Sequence, residues 1–207
     1  MARRTRSEVW DRHAPRYDAA TAWVERRFLA DGRRWVCPRA TGRTLEVGVG
    51  TGANVGHYPP DVELIGIDPS AGMLAEAGEK AARSKAGAPV VELLLADVGD
   101  LPFEDGTFDS VVATYVLCCV PDLPLALTEI VRVLRPGGQL LLADHVRSTV
   151  GPVRLAQRAL EAVTIPMQEE HFTRRPVRRL PPAQVEVVAT QRHTLGVLEA
   201  VHGRRLA

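Results

Sequence analysis

The densest chemical signal in the chain is Gly48-Val49-Gly50-Thr51-Gly52, three glycines at alternate positions directly after the apolar run Leu45-Glu46-Val47. A strand that turns sharply into a helix needs residues without a Cβ, both to make the turn and to let a ligand reach the main chain. The helix start beyond it offers N–H groups and a partial positive charge, which suit a carboxylate or a phosphate. Asp68 lies twenty residues after Gly48, at the end of the next apolar run, Glu63–Ile67. From there its carboxylate can accept hydrogen bonds from both hydroxyls of an adenosine ribose. Asp97, closing the third run, is placed to meet the adenine amino group. These marks point to an adenosine-bearing ligand without choosing it, because Gly48-x-Gly50-x-x-Ala53 with Asp68 also satisfies the dinucleotide fingerprint. A purely structural tight turn uses the same glycines.

Three observations argue against a nicotinamide enzyme. The 207-residue chain is short for a separate substrate domain, Tyr115 has no lysine four residues on, and nothing else resembles a hydride-transfer site. The chain has only two lysines, Lys80 and Lys85, both in the second predicted crossover helix. Two histidines are candidates for moving a proton. His145 follows the fifth apolar run and is expected at the carboxyl end of a sheet, where it is the leading general base. A loop-capping histidine reads the same way. His171 is the second candidate, with a helix-start or surface role as its plainer reading. Asp144 is expected to orient His145 or hold backbone. Cys118 and Cys119 read as buried packing beside the ligand, better than as nucleophiles.

The elements that must position these residues follow from periodicity. Apolar positions from Val9 to Trp35 suit a helical cap. From Thr44, short apolar runs alternate with helical stretches, the pattern of a parallel βαβ sheet. Strands are expected at 45–47, 63–67, 90–95, 108–114 and 140–143. Helices are expected from Pro69-Ser70 to about Ala86, over 122–134, over 153–170 with an interruption at Pro166, and briefly over 171–180. A short helix also runs towards His57. Pro136-Gly137-Gly138 breaks the fourth crossover and launches the fifth strand. Two final strands, 185–189 and about 195–201, read as an antiparallel pair. The fold class is therefore α/β: a Rossmann-like, doubly wound, seven-stranded, mostly parallel sheet with one antiparallel strand and an N-terminal helical cap. One domain is expected, with a cap at 1–43, a ligand-binding core at 44–146, and substrate-side helices with the terminal hairpin at 147–207.

Composition sets further bounds. With 45% hydrophobic residues the chain can bury one core, and no apolar run approaches the roughly 20 residues that span a bilayer. The basic start Met-Ala-Arg-Arg-Thr-Arg leads into polar sequence without the apolar stretch of a signal peptide. Three cysteines, two of them adjacent, are too few for a disulfide framework and lack metal-ligand spacing, so a cytoplasmic location and no metal are expected. The net charge of +1 hides an asymmetry: residues 44–146 carry 5 Lys/Arg against 15 Asp/Glu, while both ends are arginine-rich. Basic ends of this kind are usually a solvated face. They also suit an anionic nucleophile or an anionic lipid surface if they meet over one pocket.

Taken together, Leu45–Gly52, Asp68, the loop from Leu101-Pro102-Phe103 to Phe108-Asp109, and Glu129–Gly138 resemble class I S-adenosylmethionine-dependent methyltransferases. Within that class they resemble the ubiquinone/menaquinone methyltransferase-like group. Ala14-Pro15-Arg16-Tyr17-Asp18 is similar to that group's cap motif, whose tyrosine lies near the cofactor. A narrower resemblance, to the methyltransferase-like protein 7 group of small-thiol enzymes, rests on Gly52-Ala53-Asn54, Tyr58-Pro59-Pro60, Ile67-Asp68-Pro69, Val116-Leu117-Cys118, His145-Val146 and Thr173-Arg174. The hydrophobic anchor of the animal thiol enzymes is absent, Asp144 stands where they usually have Glu, and the tail after Val146 matches poorly.

The resemblance implies S-adenosylmethionine as cofactor and S-adenosylhomocysteine as product. It places Tyr17, Glu46, Gly48, Val49, Gly50, Asn54, Asp68, Pro69, Met73, Asp97, Val98, Tyr115 and Leu117 around the cofactor, and Tyr17, His145 and His171 around the substrate. A small thiol is the favoured acceptor; a quinol, a phenol or a phospholipid head group is the alternative. A stripe of Arg154, Arg158, Arg174, Arg175, Arg178 and Arg179 would suit nucleic acid. With no appended RNA-binding motif and few aromatics, a nucleic-acid partner is not expected. A non-catalytic cofactor-binding protein would keep the glycine loop but close the acceptor side. Peripheral membrane contact and oligomeric state are left open.

Overall fold

The five apolar runs become parallel neighbours in one sheet: four of them are largely buried, as strands covered by crossover helices require, while the run at 91–95 lies at the edge and stays partly exposed. The computed structural model describes residues 6–84, 89 and 91–207; Lys85, Ala86 and Val90 lie outside them. Strands β1 (Arg43–Val47), β2 (Glu63–Asp68), β3 (Val91–Leu95), β4 (Phe108–Thr114), β5 (Leu134–His145), β6 (Val185–His193) and β7 (Leu198–Arg205) assemble in the order β3-β2-β1-β4-β5-β7-β6. β7 alone runs against the others, pairing antiparallel with both β5 and β6. This is the predicted sheet.

The helices follow the polar–apolar pattern. α1 (Arg6–Val24) and α2 (Ala30–Val36), joined by a π-turn at 25–29, form the cap. α3 (Ala71–Ala82) begins at Ser70, whose hydroxyl accepts from Met73 N–H at 3.1 Å, and α4 (Leu123–Val133) begins at Asp122, whose carboxylate accepts from Leu125 N–H at 3.0 Å. α5 spans Gly151–Gln168. One core layer joins α4 to the sheet through Ile130, Leu127, Phe108 and Leu140. The other lies under α2 and contains Val36, Cys37, Leu64, Val112 and Leu141.

Five expectations about elements are corrected. Pro136-Gly137-Gly138 does not end one element and start another: β5 runs through it from Leu134, with a bulge between the Phe108 and Ser110 pairings. Gly137 takes φ +75°, and a Cβ on Gly138 would fall 2.8 Å from the Arg135 carbonyl, so this bulge needs its glycines. Pro166 does not interrupt α5; it sits in the last turn, and the helix stops at Glu169, which is left-handed at φ +59°. The segment 171–180 forms only a 3₁₀ turn, Pro176–Arg179, and the stretch towards His57 is likewise 3₁₀, Val55–His57. Leu195 lies in the hairpin turn at φ +56°, so β7 starts three residues later than expected.

Candidate functional site

The chain moves outward from β1 to β2 and β3, then returns to place β4 on β1's other side. A crevice opens at this switch point, outside the carboxyl ends of the strands, as the fold class dictates. Gly48–Thr51 after β1, Asp68 and Pro69 after β2, and Thr114–Val116 after β4 line it. Gly48, Gly50 and Gly52 all have positive φ, at 65°, 54° and 76°. Beyond its chain neighbours, a Cβ on Gly50 would meet no protein atom within 4 Å, so the space before it is open to a ligand. Asp68 ties the walls together: one oxygen accepts from Gly50 N–H at 3.0 Å and the other from Ser70 N–H at 2.9 Å. A ribose diol is the complement of that carboxylate, and Pro69 with buried Met73 supplies an apolar wall for a base.

The cap closes this crevice from above. Trp10 and Tyr17, edge to face at 6.1 Å, both line it. Burial raises the Tyr17 hydroxyl to about 12, so it stays protonated. Two aspartates of α1 hold the cap down. Asp11 accepts from the Ser70 hydroxyl (2.6 Å) and from Gly72 N–H (2.9 Å), and Asp18 accepts from Thr51 Oγ1 (2.6 Å) and pairs with Lys80 (2.6 Å). With the cap seated the cavity is about 130 Å³, below the roughly 300–1,000 Å³ of most ligand sites.

A buried polar network supports the floor. Glu46 is fully buried and accepts from Asn54 Nδ2 (2.8 Å) and the Tyr58 hydroxyl (2.9 Å). Desolvation lifts its carboxyl to about 7. Arg33, from α2, reaches the same network by donating to Asn54 Oδ1 (2.9 Å) and Thr114 Oγ1 (2.7 Å), while its other side pairs with Glu25. Its guanidinium lies 4.9 Å from the centre of the Tyr115 ring. Tyr115, left-handed at φ +55°, donates its hydroxyl to the Leu29 carbonyl and so ties the cap to β4. Among the described residues Arg33 is the one cationic side chain lining the cavity, and it is suited to a ligand carboxylate.

Glu170 and Cys119 line the same cavity. Glu170 Oε1 lies 3.2 Å from His145 Nε2, and the imidazole is stacked on Phe172 at 4.5 Å. Burial opposes charge on His145, but the Glu170 hydrogen bond and the nearby Asp144 carboxylate outweigh it and raise the imidazole to about 9. Asp144 accepts from Cys118 N–H and from the backbone N–H of His145, the backbone role expected of it. One ligand atom each of Cys118, His145 and Glu170 fall within 4.8 Å of one another. They would share a cation only if Cys118 lost a proton that burial holds well above its ordinary range.

Comparison with known proteins places this geometry. A family model described as a methyltransferase domain matches residues 45–142. The chain is 31% identical over 168 residues to the demethylmenaquinone methyltransferase of Renibacterium salmoninarum, spanning 75% of this chain and 67% of that protein. It belongs to the class I S-adenosylmethionine-dependent methyltransferases, in their ubiquinone/menaquinone methyltransferase-like group. A phosphatidylethanolamine N-methyltransferase of Cereibacter sphaeroides is 41% identical over 119 residues, 58% of each chain. The chain spans a little over half the length of several curated relatives. A Thermotoga maritima methyltransferase structure, titled a possible histamine N-methyltransferase, shares the fold with a TM-score of 0.69. Its identity is 22%, covering 96% of this chain and 99% of that one.

Set on this methyltransferase frame, the sequence-predicted residues divide. Tyr17, Gly48, Val49, Gly50, Asp68, Pro69, Met73 and Tyr115 line the cavity together. Glu46 and Asn54 lie beneath it. Val98 and Leu117 are packed in the core. Asp97 is exposed and accepts from Gly99 N–H at 2.7 Å. His145 reaches the cavity through Glu170, and His171 is pinned by its backbone to the Cys118 carbonyl without lining the cavity. Trp10, Arg33, Thr114 and Glu170 were missed, and Cys119, expected beside the ligand, lines the cavity. Arg33 is one of eleven arginines in the first 43 residues, and Glu170 carries no motif, so neither had a signal in sequence.

Proposed function

We propose that this chain transfers the methyl group of S-adenosylmethionine to a small-molecule nucleophile that meets Glu170 in the cavity. Bound there, the cofactor supplies a sulfonium methyl that needs no further activation. Asp68 would hold the ribose, Pro69 and Met73 the base, and Arg33 the carboxylate, which leaves Glu170 and Cys119 as the lining residues available to an acceptor. What the protein adds is alignment, worth up to roughly 7–11 kcal/mol in ideal cases, and exclusion of water by Trp10 and Tyr17.

The observation that carries the choice of acceptor is Glu170, a carboxylate facing the cavity and backed by His145 at 3.2 Å. It suits an acceptor that arrives with a proton to surrender, either an amine, as in a phospholipid head group, or a phenol or quinol hydroxyl. The similarity to a phosphatidylethanolamine N-methyltransferase and a demethylmenaquinone methyltransferase supports an amine head group and a quinol as acceptor classes. A small thiol is the second reading, favoured by the cationic His145, which would steady a thiolate. A thiol needs less help, since its reference pKa of about 8.5 leaves some thiolate at neutral pH. The test is S-adenosylhomocysteine release across amines, phospholipids, quinols, phenols and thiols. Turnover of an amine, phospholipid, phenol or quinol that falls in Glu170→Gln is expected. Turnover of thiols alone reverses the order, and no turnover of any class ends the enzymatic reading.

A further inference from the structure

A second cavity, of about 560 Å³, has no lining residue in common with the first. Five guanidinium groups line it: Arg147, Arg174, Arg175, Arg178 and Arg179. Its one carboxylate, Asp122, is committed to capping α4. Arg174 donates to the Leu117 and Val120 carbonyls, and Arg175 pairs with Glu199 at 2.8 Å while its Nε–H is buried with no acceptor. Among the described residues, Arg147, Arg178 and Arg179 have no carboxylate partner. Like charges gathered this way repel one another unless an anion joins them. Arginine forks match the oxygens of a phosphoryl group two at a time, and the donors here exceed what one carboxylate can accept.

Neighbouring stretches of the same segments line the two cavities. The turn after β4 puts Cys119 in the first and Pro121 in the second, and the segment after α5 puts Glu170 in the first and Thr173 in the second. After β5, His145 reaches Glu170, and Arg147, two residues on, lines the arginine cavity. We propose that the arginine cavity binds the phosphoryl group of the methyl acceptor, so that the acceptor's nucleophilic end is held towards Glu170. The volume accommodates a phosphoester and not only a bare ion. This inference rests on the methyl-transfer reading above.

The test uses Arg178→Gln/Arg179→Gln, two exposed residues of the 3₁₀ turn, with Arg83→Gln/Arg204→Gln as a charge-matched control. Titration calorimetry with inorganic phosphate and with glycerophosphoethanolamine, at fixed salt, is compared with sedimentation on phosphatidylglycerol and phosphatidylcholine vesicles. S-adenosylhomocysteine affinity is measured in parallel. At least a tenfold loss of glycerophosphoethanolamine affinity is expected in Arg178→Gln/Arg179→Gln, against less than twofold in the control, with S-adenosylhomocysteine affinity unchanged in both. Binding confined to phosphatidylglycerol vesicles and lost in the same variant supports the site with a lipid as the source of the phosphate. Undiminished phosphate binding in that variant, or wild-type protein that binds none of the probes, overturns the inference while S-adenosylhomocysteine binding leaves the methyltransferase reading standing. Failure of S-adenosylhomocysteine to bind sinks that reading instead.

Discussion

Replacing Glu170 with Gln removes the hydrogen-bonding carboxylate 3.2 Å from His145 Nε2 while keeping nearly the same shape. The folded imidazole is raised to about 9 from its ordinary 6.5. A raised pKa on a basic group stabilises the fold fully below the unfolded value and ceases to do so as pH climbs through the folded one. For this shift the contribution is about 3 kcal/mol at pH 6, about 1.4 at pH 8 and close to zero at pH 10. Burial opposes the charge, so without Glu170 the imidazole should fall towards its ordinary value, and most of the contribution should go with it. The assay is the melting temperature of wild type and Glu170→Gln from pH 6 to 10, with the His145 ring followed by NMR. The gap between the two proteins should be largest near pH 6, about 6–12 °C for a chain of this size, and should close by pH 10. Superimposable curves, or a wild-type His145 that titrates near 6.5 or below, would refute the reasoning.

S-adenosylmethionine should raise the melting temperature more than NAD does, and Asp68→Ala should abolish that rise while costing about 1.5–3 kcal/mol of stability through its lost bonds to Gly50 and Ser70. Asp18→Ala frees one anchor of the cap; with Asp18 half exposed the loss is about 1 kcal/mol, and stopped-flow should show S-adenosylhomocysteine leaving about fivefold faster. An unchanged dissociation rate would remove the cap from cofactor retention. Gly50→Ala should cost about 1–2 kcal/mol for its left-handed backbone and, because its Cβ enters only ligand space, weaken S-adenosylhomocysteine binding at least tenfold. Gly42→Ala, blocked by Asp109 away from the cavity, should lower stability alone. Equal affinities in the two variants would show that the cofactor does not use the space before Gly50.

The sequence by itself determined the sheet and its ligand-gripping edge. Alternating apolar runs and amphipathic stretches admit few arrangements, and a glycine loop followed by an acid at the next strand end works through backbone geometry that neighbouring residues specify. Gly48, Gly50 and Asp68 were legible for that reason. Local signals misled where context overrode them. Pro136-Gly137-Gly138 looks like a break but is carried inside β5 because β4 holds it in register, and Leu195 looks like a strand residue but turns the hairpin. The acceptor end was decided only by tertiary structure. Glu170, His145 and Cys119 come from three separate segments, and the arginine cavity draws on residues from 121 to 179. His145, Cys119 and the arginines at 174, 175, 178 and 179 stand out one by one in the chain and Glu170 does not, and nothing local says that they meet. Their chemistry arises from distance, and distances between remote segments are set when the core packs, together with the burial that fixes which of them carry charge.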